Sequence, residues 1–378
     1  PGGAEAVRLE GARGFVRWLA QSAVANMYPG APYERKYVAA DMLRALVEAW
    51  PPAECAAAAA AGRSPPGGMD VYGGGVLGAD TTMVLLAAAV DSWDKLRELA
   101  FELLCALPSP LPGLGGAAGV TPLVRWGAGL LRSPRVRDSD SGAHMLRLLL
   151  RKYVLGLGWG VELRGASPAV TEPPPGEARG AAQGQVALLG ALCDLIESER
   201  EASARDMFGA CRRGLCHGAL LAARYALREM NFAPNFVGAS AAAATAALTR
   251  LVDLVRHVSE DALYAVANPS EVGVDAAELR LDDDVSAADE SARATVAVGW
   301  GAYFGEDEGE EGGEGAAGAA PRAQVVITAC WLTMKEASLT LGELVQAVMA
   351  PVTSDYARNL LVKPRGIVEA GGPPPRGV

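Results

Sequence analysis

Few residues of this chain belong to types that commonly carry out chemistry. Its 378 residues include three histidines and six cysteines. Cys211, Cys216 and His217 are close enough in sequence to suggest a metal site. If they share one helix, however, Cys216 and His217 point about 140° and 120° away from Cys211, so they do not converge on a metal ion. We interpret these cysteines as buried thiols between helices, because free cysteine is among the most buried residue types.

The sequence also lacks the other common catalytic patterns. The glycine-rich stretch 156–160, Gly-Leu-Gly-Trp-Gly, is only faintly similar to a nucleotide-binding loop, because it follows a predicted helix where such a loop needs a strand. No G-x-S-x-G nucleophile motif occurs, and no pair of carboxylates stands in a catalytic setting. We therefore predict a protein that is not an enzyme and has no metal or cofactor of its own.

Basic residues do form a cluster. The chain has 34 basic and 44 acidic residues and a net charge of −10, which excludes a strongly basic protein that coats nucleic acid. Between positions 125 and 152, however, seven basic residues face only Asp138 and Asp140. The seven are Arg125, Arg132, Arg135, Arg137, Arg147, Arg151 and Lys152. This segment is a candidate phosphate-contacting surface. Alternatively, Arg147 and Arg151, four residues apart, form the ordinary solvated face of a helix.

A second basic stripe is predicted on a helix over residues 203–230. Arg213, His217, Arg224 and Arg228 fall within about 60° of one another around its axis, and most of the remaining surface is Leu, Ala and Cys. Such a stripe needs acidic partners, either carboxylates of neighbouring helices or the backbone of an RNA or an acidic protein segment. For Lys335-Glu336, inside an apolar helix, we expect an internal ion-pair network because buried charges are usually paired.

The elements that would position these residues are helices. Aromatic residues make up 6% of the chain and β-branched runs are scarce, whereas Ala, Leu, Arg and Glu recur at helical spacing. Leu96, Ala100, Leu103 and Leu107, for example, repeat at three and four residues. About ten helices are predicted, at 14–27, 32–50, 80–89, 93–107, 121–131, 135–154, 184–199, 203–230, 239–266 and 324–348.

Consecutive helices in this order indicate hairpins that cannot bury their apolar stripes alone. The predicted fold is therefore all-α, a right-handed ARM/HEAT-like α-solenoid of stacked helical hairpins, with a compact helical bundle as the alternative. Residues 1–378 form one solenoid segment, with a flexible linker at 51–79 and an acidic, Gly-rich insertion at 267–322 that we expect to be disordered.

The cellular setting is predicted from cysteine usage and hydropathy. Six scattered cysteines without paired spacing are typical of reduced intracellular thiols. No apolar stretch reaches the roughly 20 residues that cross a bilayer. We expect a cytoplasmic protein without membrane contact.

Five segments occur along the chain in an order that carries a family resemblance. They are 27–43, with Met-Tyr-Pro-Gly-Ala-Pro-Tyr-Glu-Arg-Lys and Ala-Ala-Asp-Met-Leu, 91–100, 133–153, 216–225 and 329–339, with Ala-Cys-Trp-Leu-Thr-Met-Lys-Glu-Ala-Ser-Leu. In these segments the chain resembles the THADA family, the thyroid-adenoma-associated protein and its plant and fungal homologues, which carry a DUF2428 domain. The best-matched regions are 14–160, 184–232 and 323–348. Family members are far longer, so the chain resembles a fragment of a plant or algal member.

The resemblance implies a function. It implies an ARM/HEAT-type scaffold that is the non-catalytic partner of an FtsJ-like methyltransferase in 2′-O-methylating a ribose of the tRNA anticodon loop. The partner would bind S-adenosylmethionine, and this chain would bind tRNA and the partner. The alternatives are a protein-interaction solenoid without RNA contact and an enzyme with its own methyl-donor pocket.

The residues that would contact tRNA are our own hypothesis within that resemblance. RNA recognition through shape and backbone requires cations that contact phosphates. The candidates are Arg132, Arg135, Arg137, Arg147, Arg151, Lys152, Arg213, Arg224 and Arg228.

Overall fold

The computed structural model describes residues 3–72, 75–164, 168–174, 180–230, 232, 241–272 and 322–361. Nearly all regular structure in these ranges is helical. The α-helices are α1 (Gly3–Ala25), α2 (Tyr33–Ala49), α3 (Pro52–Ala60), α4 (Ala79–Ala88), α5 (Asp94–Ala106), α6 (Ala117–Leu130), α7 (Val136–Leu149), α8 (Ala181–Arg205), α9 (Met207–Cys211), α10 (His217–Glu229), α11 (Ala241–Ala267) and α12 (Arg322–Leu361).

Shorter elements complete the description. α7 continues into a π-helical segment, Leu150–Leu155, and 3₁₀ turns occupy Pro66–Gly68 and Pro269–Val272. Two strands, β1 (Gly160–Glu162) and β2 (Ala169–Thr171), form an antiparallel ribbon. The all-α prediction is therefore confirmed, apart from this ribbon.

The helices pack as hairpins whose second members form a row. The hairpins are α1 with α2, α4 with α5, α6 with α7, α8 with α10, and α11 with α12. Along the row, α2 packs on α5, α5 on α7, α7 on α10 and α10 on α12. We call these five helices the inner row. Stacking of this kind is what the apolar stripes predict, whereas the ARM or HEAT repeat type and its handedness stay predictions.

An apolar core runs along the whole stack, from Ala20 in α1 to Leu344 in α12. In α5, Leu96, Leu103 and Leu104 are at most 2% exposed, as the three- and four-residue spacing predicts. A separate smaller cluster lies beneath α9, α11 and α12. Burial of one large aliphatic side chain contributes about 1.5–3 kcal/mol, so apolar contact between hairpins is the main force that holds the array.

The predicted linker, residues 51–79, contains more structure than its composition suggests. It includes α3, whose first residue, Pro52, lacks an N–H that a helix start does not need. A run of alanines follows, and alanine has the highest helix propensity of any residue type. Farther along, Val71 and Leu77 are fully buried. The structure therefore differs from the expected linker because two apolar anchors hold a segment rich in Gly and Pro.

The predicted helix over residues 203–230 is interrupted. α9 ends at Cys211, the chain turns through Gly214 and Leu215 at positive φ, and α10 begins at His217. The Leu215 N–H donates to the Ala210 carbonyl oxygen at 2.8 Å, which closes the helix end as left-handed caps do. Arg213 therefore lies in a turn and does not share a helix face with the basic residues of α10.

The predictions for the acidic insertion and for membrane spans can be compared with the described residues only. Most of the acidic insertion, residues 273–321, lies outside the described residues. None of the helices within the described ranges has the length and apolar character that crossing a bilayer requires.

Candidate functional site

Ion pairs connect every hairpin of the stack to the next. Four pairs do this, and we call them the ladder: Lys36–Asp91, Arg97–Asp140, Arg147–Glu229 and Arg224–Glu336. The N···O separations for Lys36, Arg97 and Arg224 are 2.7, 2.9 and 2.8 Å. Because each pair joins residues of consecutive hairpins, the ladder fixes how one hairpin sits on another.

Several of the cations predicted to contact phosphate form ion pairs within the protein, either in the ladder or beside it. Arg147 donates to Glu229 at 2.6 Å and lies over the Phe101 ring at 4.4 Å. Arg151 shares the same carboxylate at 3.2 Å. Arg228 donates to Glu343 of α12 at 2.6 Å. These arginines are already neutralised by carboxylates, so they are weak candidates for binding an RNA backbone.

Arg224 and Glu336 form the most buried pair of the ladder. Arg224 is 12% exposed and Glu336 is 3% exposed. Of the internal ion-pair network predicted for Lys335-Glu336, the structure confirms the pair of Glu336, whereas Lys335 forms no ion pair among the described residues. The acidic partner of the basic stripe on α10 is a neighbouring helix. Removing one member of a buried pair costs about 3–5 kcal/mol, because the other charge stays buried without compensation.

Lys152 does not lie on the surface where the hypothesis placed it. It is 5% exposed, and its ammonium group donates to the carbonyl oxygens of Cys105, at 2.6 Å, and Leu107 at the end of α5. Burial lowers the pKa of Lys152 to about 8. The position follows from periodicity, since Lys152 comes four residues after Leu148 and three after Leu149, both in the core. Lys152 caps a helix end and is not available to a phosphate.

Four arginines at the α6–α7 and α9–α10 turns form a surface that we call the arginine patch: Arg135, Arg137, Arg212 and Arg213. Arg135 is partly buried, and the other three are exposed. Arg135 and Arg137 follow the α6–α7 turn, and Arg212 and Arg213 lie in the α9–α10 turn. Within the described part of the chain, none of the four has a carboxylate closer than the 3.7 Å between Arg137 and Asp138. Arg132, beside them, is paired with Glu199 at 2.6 Å.

Two glycines hold the turns of the patch together. A Cβ at Gly214 would lie 2.9 Å from the Ser133 carbonyl oxygen, and one at Gly218 would lie 2.0 Å from that of Leu131. Both separations are too short for a real side chain, so only glycine permits this approach of backbone to backbone. The close contact brings the two pairs of arginines to one side of the molecule, where their like charges favour an anionic partner.

A cleft of about 440 Å³ opens on the inner row where α5, α7, α10 and α12 meet. Asp140 lines the cleft and accepts hydrogen bonds from Arg97 at 2.9 Å and from the Tyr225 hydroxyl at 2.5 Å. Burial, together with the charge of Asp140, raises the pKa of Tyr225. Arg137 of the arginine patch also lines the cleft, so the two features are continuous.

Two buried histidines line this cleft. His144 is 7% exposed, and His217 is 1% exposed. Burial lowers the pKa of each histidine to about 4. For His144, the negative charge of Asp140 raises the pKa, but burial has the larger effect. The His144 Nδ1 and both ring nitrogens of His217 have no hydrogen-bond partner. The Leu332 backbone is close enough to His217 to favour the protonated ring, but it does not reach hydrogen-bond geometry. Both rings are therefore neutral near pH 7.

No metal site accompanies these histidines. Among the described residues, no group of three or more His, Cys, Asp or Glu side chains is placed to hold a metal ion. Cys211 and Cys216 are free thiols, each at most 2% exposed, which confirms the interpretation of both as buried thiols.

Comparison with known proteins gives one match to a family model. Residues 246–369 match the model described as THADA/TRM732, DUF2428. This stretch of the chain is similar to the THADA family. No curated protein and no solved structure matches it.

The THADA-family match covers α11 from residue 246 onward and all of α12. Of the five segments that carried the resemblance, 329–339 lies inside it, and the four earlier segments lie outside. The matched stretch supplies Lys335 and Glu336 to the cleft and Glu343 to the pair with Arg228. The THADA-like part of the chain is thus in direct contact with the candidate site.

Sequence reasoning missed Arg212 and the cleft. Arg212 was left out because a continuous helix over 203–230 places it away from the stripe of Arg213, Arg224 and Arg228. The signal that could have found it is Gly214, a frequent helix terminator, directly after two arginines. The cleft joins helices more than 100 residues apart in sequence, and no local pattern encodes that meeting.

Proposed function

We propose that this chain is a non-catalytic scaffold for tRNA 2′-O-ribose methylation in the anticodon loop, which binds tRNA together with an FtsJ-like methyltransferase. The partner holds S-adenosylmethionine and transfers the methyl group. The similarity of residues 246–369 to the THADA/TRM732 family model supports the role in tRNA modification. The observation that carries RNA binding is the arginine patch on a chain of net charge −10. Among the described residues, the one carboxylate in ion-pair contact with the patch is that of Asp138, 3.7 Å from Arg137.

Within this proposal the nine basic candidates divide by their contacts. Arg135, Arg137 and Arg213, joined by Arg212, contact the phosphate backbone. The others hold the protein itself together: Arg132, Arg147, Arg151, Arg224 and Arg228 through carboxylates, and Lys152 through helix-end carbonyls. A cation in a tight ion pair has less to gain from a phosphate, because it must first give up its carboxylate.

Salt-dependent tRNA binding tests the proposal. Each phosphate contact lowers the slope of log K against log salt concentration by about 0.9 for duplex nucleic acid and about 0.7 for single strands. Neutralising Arg135, Arg212 and Arg213 together to Gln is therefore expected to reduce the magnitude of the slope by about two to three. The measurement is fluorescence anisotropy with labelled tRNA at several salt concentrations.

A charge-matched variant serves as the control. Arg17, Arg44 and Arg256 are exposed arginines of α1, α2 and α11, away from the patch. Changing these three to Gln alters the net charge by the same amount and is expected to leave the slope nearly unchanged. Equal slopes for the two triple variants would contradict a role for the arginine patch.

The second candidate is a protein-interaction solenoid without RNA contact. A stripe of exposed apolar residues on α12 favours it, since Ile327, Trp331 and Val345 are 41%, 57% and 60% exposed and exposed apolar surface often marks a protein-binding site. The wild-type chain would then show no salt-dependent tRNA binding and would still co-purify with a partner protein.

A further inference from the structure

The exposed side of α12 lacks the charges that a solvated helix face usually carries. Between positions 324 and 348 nine residues are exposed, and Lys335 is the one with a charge. Six of the others fall within about 100° of one another around the helix axis. We call these six the α12 face: Ile327, Trp331, Ser338, Leu341, Gly342 and Val345. Because a solvent-facing side of a helix is normally polar and charged, the α12 face is better suited to a protein partner than to water.

Large apolar side chains run along the whole α12 face. Trp331 is 57% exposed and Val345 is 60% exposed. From Ile327 to Val345 the face extends about 27 Å at the rise of an α-helix, which is long enough to hold a second helix. The other sides of α12 pack on α9, α10 and α11. An exposed tryptophan among aliphatic residues is typical of the side chains that dominate binding energy at protein interfaces.

Two small residues on the α12 face allow another backbone to come close. Ser338 and Gly342 are four residues apart and therefore neighbours on the helix surface, and both are exposed. A Cβ at Gly342 would meet nothing within 4 Å, so no packing within the described part of the chain requires glycine there. Glycine is unfavourable inside a helix but suits a position of close backbone approach. Small residues at this spacing let two helices cross at short distance, as is best known from membrane helices.

The charge of Lys335 indicates what the partner must carry. Its ammonium group lies 5.7 Å from the centre of the Trp331 ring, so it borders the α12 face. The adjacent carboxylate, that of Glu336, is paired with Arg224, and no other carboxylate of the described residues forms an ion pair with Lys335. A partner helix with a carboxylate beside its apolar residues complements both the charge and the apolar surface.

The α12 face lies next to the candidate RNA surface. Lys335 and Arg137 both line the cleft of the inner row, and Arg137 belongs to the arginine patch. A protein on the α12 face therefore borders RNA that is bound at the patch. This is the place that an enzyme acting on that RNA must occupy.

We infer that the α12 face binds an amphipathic helix of the methyltransferase partner. The apolar side of that helix packs on Trp331 and Val345, its backbone crosses α12 at Ser338 and Gly342, and one of its carboxylates pairs with Lys335. The inference rests on the proposed function, which supplies the partner, and adds the surface that holds it.

Substitutions on the α12 face test the inference in two opposite directions. Gly342→Ala is expected to raise the melting temperature of the free chain by about 2 °C, because alanine replaces glycine inside a helix. The same variant is expected to bind the purified FtsJ-like methyltransferase about tenfold more weakly, because the added methyl group blocks the close approach. Trp331→Ala is expected to weaken this binding by about thirtyfold or more. Differential scanning calorimetry and isothermal titration calorimetry measure the two effects.

Matched variants on α1 serve as controls. This helix stands at the opposite end of the stack and also has an exposed tryptophan and an exposed glycine. Trp18 is 59% exposed, and a Cβ at Gly11 would meet nothing within 4 Å. The exposed residues of α1, however, include the charged side chains of Arg8, Glu10 and Arg17. Gly11→Ala and Trp18→Ala are therefore expected to bind the methyltransferase like the wild type.

Binding of tRNA separates this inference from the proposed function. In the absence of the methyltransferase, Trp331→Ala and Gly342→Ala are expected to bind tRNA like the wild type, because the arginine patch is intact. If the wild type fails to bind tRNA but binds the methyltransferase in a way that Gly342→Ala weakens, the RNA role is contradicted and the α12 face is still supported.

Three outcomes would overturn the inference. In the first, the wild type and both α12 variants bind the methyltransferase equally, which removes this surface and leaves the proposed function intact. In the second, the wild type binds tRNA but not the methyltransferase, which removes the partner from the proposed function as well. In the third, analytical ultracentrifugation shows a dimer that Trp331→Ala dissociates, which assigns the α12 face to contact between two copies of the chain.

Discussion

Gly214 shows how one residue positions the candidate RNA surface. Its φ of +84° lies in the left-handed region, where a side chain costs about 1–2 kcal/mol, and a Cβ there would meet the Ser133 carbonyl oxygen at 2.9 Å. Gly62 has a similar φ of +65° and nothing within 4 Å of its Cβ position. Comparing substitutions at Gly214 and Gly62 separates the cost of backbone strain from the cost of the contact between the two turns.

We expect Gly214→Ala to destabilise the protein by about 3 kcal/mol and Gly62→Ala by about 1 kcal/mol, since the second substitution carries only the backbone cost. Urea denaturation of both variants measures the free energies of unfolding. Equal losses would mean that the turns do not press against each other at Gly214.

The histidines of the cleft make stability depend on pH. The folded-state pKa of His217 is about 4, below its ordinary value of 6.5, so the unfolded chain takes up a proton first as the pH falls. The stabilisation is complete above pH 6.5 and is lost on acidification toward pH 4. One pKa unit corresponds to about 1.4 kcal/mol, which gives a loss on the order of 3 kcal/mol for this ring.

The comparison of His217→Phe with the wild type isolates that contribution. We expect the variant to lose less stability between pH 6.5 and 4, by on the order of 3 kcal/mol, because it has no ring to protonate. Thermal or urea unfolding at a series of pH values measures the difference. Parallel pH profiles would show that His217 is not held neutral in the folded protein.

At the scale of the element, the ladder explains why a row of helices can carry so many arginines. Each pair of the ladder joins residues of consecutive hairpins, and Arg224 and Glu336 are 112 residues apart in sequence. Burial of both charges makes the pair sensitive to the loss of either one. The ladder is therefore a device for register between hairpins rather than a ligand surface.

Breaking the pair and replacing it as a whole test this role. We expect Glu336→Gln to destabilise the protein by about 3 kcal/mol, because Arg224 stays buried without its carboxylate. The double variant Arg224→Met with Glu336→Leu is expected to recover most of that loss, since apolar residues of similar size replace the pair. Urea denaturation reports both. A double variant as unstable as Glu336→Gln would contradict the pairing.

The sequence predicted the helices well but not their partners. The stripe of α5 follows directly from residue spacing, and its residues are buried as expected. The carboxylate that each arginine meets depends on helix stacking over long sequence distances, which no local spacing encodes. Lys152 was predicted to contact phosphate, whereas its spacing from Leu148 and Leu149 indicates the buried position that the structure shows. Arg213 was misplaced because a helix was extended across Gly214.

For the whole molecule, the distribution of charge matters more than the net value. The chain carries a net charge of −10. The ladder pairs the inner-row cations Lys36, Arg97, Arg147 and Arg224 with carboxylates, and the arginine patch is left as a local basic surface. The spacing of apolar residues predicted a stack of helical hairpins, and the described helices pack as hairpins along a row. The site needed the fold, because the patch and the cleft each combine turns and helices from different hairpins.

The most direct test of the account is reconstituted methyl transfer. Purified FtsJ-like methyltransferase and tRNA are incubated with S-adenosylmethionine, with and without this chain, and ribose methylation of the anticodon loop is mapped. If the chain is a scaffold, we expect methylation when both proteins are present, none from this chain alone, and a strong reduction with the Arg135, Arg212 and Arg213 triple variant. Methyl transfer by this chain alone, or a rate that is the same without it, would contradict a scaffold role.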